Sequence, residues 1–205
     1  MADDNAQPSG DWDWDWDWLE ESWLRLSCVL IFAREVTQDQ MFEAFDLDPS
    51  SARMEEWVFD PYRPRVRVGQ VGVWTFAIDE PMESLNLGMR GKNVGQRLSA
   101  GTEVVMVSST AKPTEDFEYW ADGNWVTTFE PYRAFDRSGA EPDRFLREMR
   151  QVGMVTEAND AAEGPEDDLS AALDLVTLAL GIRLPQEIAM GPLATATLTA
   201  NRWQP

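Results

Sequence analysis

The sequence predicts an α+β domain: a mainly antiparallel sheet with two hairpins, flanked by three to five helices. Three observations lead there. Alternating apolar runs bounded by turn residues recur at "RVRVGQVGVWTFAIDE" (Arg65 to Glu80) and "FEYWADGNWVTTFE" (Phe117 to Glu130), the second with Asp-Gly at its tip. Hairpins of this kind imply antiparallel pairing. Segments with apolar residues three and four apart interrupt and follow these strands, as in an α+β chain. At 205 residues and 43% hydrophobic, the chain can also bury one sizeable core.

The elements follow in order. "MADDNAQPSG" is polar and aperiodic, so residues 1–17 read as a disordered acidic tail ahead of a single domain over 18–205. Four Asp-Trp pairs run from Asp11 to Trp18. As a strand they would set Trp12, Trp14, Trp16 and Trp18 on one face, an exposed aromatic row. From Trp16 onward the spacing turns helical through Leu19, Trp23 and Leu26, so the repeat is expected to end in a helix that packs Trp18, Leu19 and Trp23 on the domain. The earlier pairs read as expansion of one Asp-Trp unit. The alternative is a segment that adds to a partner's sheet edge, which makes Trp12, Trp14 and Trp16 candidate interaction residues.

"LSCVLIFAR" (Leu26 to Arg34) is a short buried strand. Thr37 caps a helix over "QDQMFEAF", with Gln40 at the capping-box position, and Pro49 with Ser50 and Ser51 ends it. "NVGQRLSAG" is a short helix closed by Gly101, and "TEVVMVSS" is a strand. "EPDRFLREMRQVG" reads as a helix with Pro142 near its first turn, Phe145, Met149 and Val152 on one face, and Gly153 as its stop. Residues 156–164 form an acidic loop. In "PEDDLSAALDLVTLALG", Pro165 and three acids sit at the positive end of a helix whose stripe is Leu169, Leu173, Val176 and Leu180. A short "PQEIAM" helix and an "ATATLTA" strand complete the domain.

The chain has no histidine. That excludes imidazole as base, acid or metal ligand, and with it the Ser-His-Asp and Cys-His arrangements. Cys28 stands alone inside "CVLIF", so it reads as a small buried hydrophobe, and neither an intrachain disulfide nor a Cys-based zinc site can form. "GMRGKN" departs from the phosphate-loop pattern at Asn86 and Asn93. No cofactor is expected. Adjacent acids such as Glu55-Glu56 and Asp79-Glu80 arise by chance among 37 acidic residues, and the two lysines lack a carboxylate-strand setting, so catalysis is not the favoured reading. No run of about 18 apolar residues could span a membrane. The acidic N-terminus also lacks the basic-then-apolar pattern of a secretory signal. A cytoplasmic protein is the expectation.

The net charge of -20 is uneven: residues 1–60 hold 16 acids against 3 bases, and residues 61–156 hold 13 against 12. Nucleic acid is a poor partner for such a surface, whereas a basic protein partner would be drawn to it. Arg133, Arg137, Arg144, Arg147 and Arg150 crowd into 18 residues. Such a row either grips a phosphate or carboxylate through forked hydrogen bonds, or pairs with the acidic N-terminal segment of its own chain. "WVFDPYR" (Trp57 to Arg63) is echoed by "WVTTFEPYR" (Trp125 to Arg133). The Tyr62-Arg63 and Tyr132-Arg133 turns therefore either form one recognition surface or act as two strand-exit turns.

"GQVGVWTFAIDE", "RLSAGTEVV", "YWADGNWVTTFEP", "EPDRFLREMRQVG" and "GIRL" followed by "GPL" together resemble an uncharacterised family of stand-alone actinobacterial proteins, a domain of unknown function, over residues 18–198. The 15 arginines against 2 lysines fit a GC-rich genome. The resemblance implies no activity and no site residues.

Two functions are expected from the residues. The favoured one is a non-enzymatic protein-interaction domain that regulates or neutralises a basic partner through its acidic N-terminal surface, with self-association as a further option. The alternative is a small anionic-ligand binder or carboxylate-based hydrolase that uses the Arg133–Arg150 row, with Arg144, Arg147 and Arg150 at its centre.

Overall fold

The computed structural model describes residues 16–20, 22, 27–58, 60, 63–80, 94–109, 116–155 and 168–198. Its frame is an eight-stranded sheet in the order β2-β8-β3-β4-β1-β5-β6-β7, with every neighbouring pair antiparallel. The strands are β1 (Cys28–Arg34), β2 (Arg53–Glu55), β3 (Arg65–Val71), β4 (Trp74–Glu80), β5 (Glu103–Ser109), β6 (Asp116–Ala121), β7 (Asn124–Phe129) and β8 (Leu193–Thr197). The α+β class and the mainly antiparallel sheet are therefore present. Both hairpins form where the turn residues place them. Between β6 and β7, Asp122 (φ 50°) and Gly123 (φ 74°) both take the left-handed conformation, the requirement of the tight hairpin turn that Asp-Gly satisfies.

Central β1 shows why the sequence reads as a continuous apolar run. Its residues alternate between two buried faces, because helices cover both sides of the sheet. Leu30 and Phe32 join Phe76, Val105, Val107 and Phe117 on one face, beneath α1 (Asp17–Glu20), α4 (Leu146–Gln151), α5 (Asp168–Leu180) and α6 (Gln186–Ala189). Val29 and Ile31 join Val66, Val68, Ala77 and Met106 on the other, beneath α2 (Gln38–Ala44) and α3 (94–98). The described residues thus hold six α-helices, one beyond the expected range. α2 carries the full capping box: the Gln40 amide donates to the Thr37 hydroxyl, and the Thr37 amide donates to the Gln40 side chain.

Two expectations are corrected. Trp16, expected as an exposed interaction residue, is 3% exposed. Its ring meets Phe32 edge-on at 6.2 Å, and its Nε1–H donates to Thr177 Oγ1 at 2.8 Å. Trp18 donates to the Leu184 carbonyl at 3.0 Å, and Leu19 is buried beside it. The end of the repeat is thus a clasp on α5 and the chain that follows it, because each indole finds both an apolar slot and an acceptor. Second, the α4 helix is shorter than its periodicity suggests: Glu141 to Phe145 form turns, and Arg144 lies ahead of the helix. A strand that the sequence did not announce is β2, three residues at the sheet edge paired to β8 and too short to leave a periodic signal. The expected loop at 156–164 and the first helical residues 165–167 lie outside the described residues, as do Trp12, Trp14 and Tyr62.

Arg67 is the largest of the fully buried side chains. It donates to the carbonyls of Ala189 (2.9 Å) and Gly191 (2.7 Å), so a strand side chain caps the end of α6. Among the described residues no helix is long and apolar enough to cross a membrane.

Candidate functional site

The five arginines do not form one row. Arg133 pairs with Asp136 at 3.3 Å, Arg137 with Asp143 at 2.7 Å and Arg144 with Glu141 at 3.2 Å. Arg147 and Arg150 lie exposed on α4. These described partners are neighbours in sequence, not the acidic N-terminal segment. The two Pro-Tyr-Arg turns also part company. Arg63 grips Glu55 of β2 with both terminal nitrogens (3.1 and 3.0 Å) and reaches Thr197 of β8 at 3.1 Å. Tyr132 and Arg133 follow β7, at the opposite edge of the sheet. β8 and β7 are six strand positions apart, roughly 30 Å at the usual strand spacing. Arg63 and Arg133 therefore lie at opposite edges of the sheet.

Arg144 reaches a cleft that gathers charged groups from several elements. That cleft has a volume of about 430 Å³ and lies between the ends of β1, β4, β5 and β6 and the helices α4 and α5. Its polar lining is Arg34, Glu103, Tyr119, Arg144 and Glu148; Val73, Trp74, Phe145 and Leu180 supply apolar wall. Sheet register explains how distant residues meet. β1 and β5 run antiparallel with Ala33 opposite Val104, so Arg34 at the end of one strand faces Glu103 at the start of the other. Tyr119 lies opposite Val105 on β6, diagonal to Glu103 and on the same face.

Arg34 Nη1 donates to Glu103 Oε1 at 2.8 Å, and the Tyr119 hydroxyl donates to Glu103 Oε2 at 2.5 Å. Both carboxylate oxygens are therefore engaged. Burial pushes the Glu103 carboxyl up, yet the hydrogen bonds from Tyr119 and Arg34 outweigh it and hold the group below the ordinary glutamate range. Burial first, then the Glu103 bond and charge, pushes the Tyr119 phenol well above its usual value, with Arg144 opposing. Tyr119 therefore stays a neutral donor to Glu103.

The backbone holds these groups in place. β1 ends where Glu35 turns left-handed (φ 54°); the Glu35 amide donates to the Val73 carbonyl and the Thr102 hydroxyl to the Arg34 carbonyl. On the other side, the amides of Ala140 and Glu141 donate to carbonyls of Trp125 and Val126, and the Thr127 hydroxyl donates to the Pro142 carbonyl. This ties the Arg144 turn to β7. The Arg144 guanidinium lies 5.9 Å from the centre of the Tyr119 ring, and Phe145 meets that ring edge-on at 5.0 Å.

Sequence reasoning singled out Arg144 and missed Arg34, Glu103, Tyr119 and Glu148. The available signal was a charged residue closing one apolar strand ("FAR") and another opening the next ("TEVV"), which becomes informative only once the strands are known to be neighbours. Among the described residues, no group of three or more acidic or cysteine side chains could hold a metal ion.

No curated protein and no solved structure matches the chain. The model of a Family of unknown function (DUF6461) matches residues 65–198. That span shares its end with the expected 18–198 but starts later, taking in Glu103, Tyr119, Arg144 and Glu148 while leaving Arg34 and the Trp16–Trp18 clasp outside. It covers well over half of the sequence, and the chain belongs to this Family of unknown function (DUF6461).

Proposed function

We propose that the chain acts by binding rather than by catalysis, and that the Arg34–Glu103–Tyr119–Arg144 cleft receives a small polar ligand. One observation carries this reading: three strands and a turn deliver two arginines to one hydrogen-bonded tyrosine–glutamate pair inside a ligand-sized cleft. The carboxylate-hydrolase alternative draws less support, because paired-carboxylate hydrolysis needs two acids turned to the substrate, and of the two acids lining the cleft Glu103 already spends both oxygens on Arg34 and Tyr119, leaving Glu148 by itself. The test is a thermal-shift screen of the full chain against carboxylates, phosphates, sugars and amino acids, repeated on Tyr119→Phe and Arg144→Gln. Ligands that stabilise the native chain and lose their effect in both variants support the cleft. Stabilisation that persists in both variants, or none at all, removes it.

A second reading keeps the basic protein partner expected from the charge pattern. What favours it is the exposed acidic surface of Glu35, Asp39, Glu43 and Asp46 around α2, where Arg97 pairs with Asp46 at 2.8 Å. Salt-sensitive binding of an oligo-lysine peptide, weakened by Asp39→Lys with Glu43→Lys, would support it. Binding unchanged by the double charge reversal would end it.

A further inference from the structure

The proposed cleft carries a second piece of information in its charges. Arg34 and Arg144 are matched by Glu103 and Glu148, so its four charged lining residues sum to zero. Their commitments differ. Glu103 accepts one hydrogen bond on each oxygen, from Arg34 and from Tyr119. Arg34 uses Nη1 on Glu103 and has its Nε 3.9 Å from Glu35, while Arg144 uses Nη1 on Glu141. Each guanidinium carries five donors in a fork, so both keep donors that can meet a carboxylate. Glu148 lines the same cleft, and among the described residues its side chain makes no ion pair. It stands four residues after Arg144, a separation at which opposite charges commonly pair, yet Arg144 pairs with Glu141 and lies over Tyr119 instead. The cleft thus presents open cationic donors and an open carboxylate, with Val73, Trp74 and Leu180 as apolar wall.

We infer that the ligand is a zwitterion of the amino-acid type, with a carboxylate held by Arg34 and Arg144, an ammonium held by Glu148, and an apolar side chain against Val73 and Leu180. This rests on the cleft being the binding site. Long-range charge supports the choice over a simple anion. A chain of net charge -20 repels a free anion at a distance, whereas a zwitterion carries no net charge and still satisfies both open groups. A simple cation would use Glu148 alone and leave both half-exposed guanidinium forks to water, whereas a carboxylate adds charge-assisted hydrogen bonds there.

The experiment is calorimetric titration of the full-length chain with each of the standard L-amino acids, followed by the N-acetyl and carboxamide forms of the best binder. The expected result is binding of at least one apolar amino acid, with both capped forms weaker by about tenfold or more. Glu148→Gln should erase the preference for the free amine. Arg144→Gln should erase the preference for the free carboxylate. An N-acetyl or amide form that binds as well as the parent overturns the zwitterion while leaving the cleft in use. So does a cleft ligand from the broader thermal-shift screen when no amino acid binds. Amino-acid binding that survives both substitutions places the site elsewhere and overturns the inference together with the cleft.

Discussion

Replacing Trp16 with alanine tests whether the end of the Asp-Trp repeat belongs to the folded body. The indole is 3% exposed, packs edge-on against Phe32 and donates to Thr177. Truncating a buried Trp to Ala costs about 3–5 kcal/mol, through lost transfer energy and the cavity left behind. Trp16→Phe keeps a ring against Phe32 and loses mainly the hydrogen bond, about 0.5–1.5 kcal/mol, with a further contribution from the smaller ring. Thr177→Val removes the same bond from the acceptor side, strands the indole N–H at about 1–3 kcal/mol, and also loses the Thr177 hydroxyl's own donation to the Ile182 carbonyl. Because both substitutions break one bond, the double variant should cost less than the sum of the singles. Urea unfolding followed by far-ultraviolet circular dichroism reads these changes without interference from the other nine tryptophans. With a slope of about 2 kcal/mol per molar, the alanine variant should unfold about 1.5–2.5 M earlier. A Trp16→Ala midpoint within about 0.5 kcal/mol of the native chain, the range of surface substitutions, would refute the clasp.

Other outcomes follow from single sites. Arg67→Met should destabilise strongly, because the buried Ala189 carbonyl loses its donor at about 1–3 kcal/mol and the part-buried Gly191 carbonyl loses one too; a midpoint equal to the native chain's would rule out the capping role. Gly69→Ala places a methyl 2.5 Å from the Phe76 ring and 2.8 Å from Leu193, and overpacking of this kind costs about 1–3 kcal/mol, measurable in the same unfolding assay. Folding holds the Glu103 carboxyl below its ordinary value of 4.5, so its contribution is present above that pH and fades as pH falls through the folded value. Melting temperature should therefore drop more steeply below about pH 4.5 in the native chain than in Glu103→Gln; parallel curves would contradict the assignment. Thr37→Ala should cost about 1 kcal/mol through loss of the capping box at α2, and no change in melting would count against that cap.

What could be read from the sequence was local. Asp122-Gly123 announces its hairpin because few dipeptides tolerate two left-handed residues, and Thr37 with Gln40 marks the start of α2 because the cap is complete within four residues. The apolar runs of β1 and β5 were legible because both faces are covered. Long-range pairing hid the rest. Arg34 and Glu103 are 69 residues apart and meet only through the β1–β5 register. Glu148 belongs to the cleft only because the turn from Glu141 to Phe145 folds back toward β7. The arginine crowding at 133–150 was real as composition, but a helix too short to hold it spread those side chains over several surfaces. The echo of Pro-Tyr-Arg likewise carried no information about distance, since strand order sent Arg63 and Arg133 to opposite edges.

The clasp also determines which changes of repeat length the protein can tolerate. A slip of one Asp-Trp unit toward the C-terminus would set Trp14 and Trp16 where Trp16 and Trp18 now lie, indole for indole, so the tryptophans alone cannot hold the alignment. The same slip would carry Asp17 into the place of Leu19, which is 2% exposed, and an unpaired carboxylate there is strongly disfavoured. Leu19 is therefore the peg that sets the frame, while whole units upstream of Trp16 can be gained or lost without changing what fills the slots. Deleting residues 12–13 should leave the unfolding midpoint where it is, and Leu19→Asp should collapse it. Tandem repeats of this kind vary in copy number by replication slippage, and in this chain a single leucine would keep Trp16 and Trp18 in their slots whatever the count.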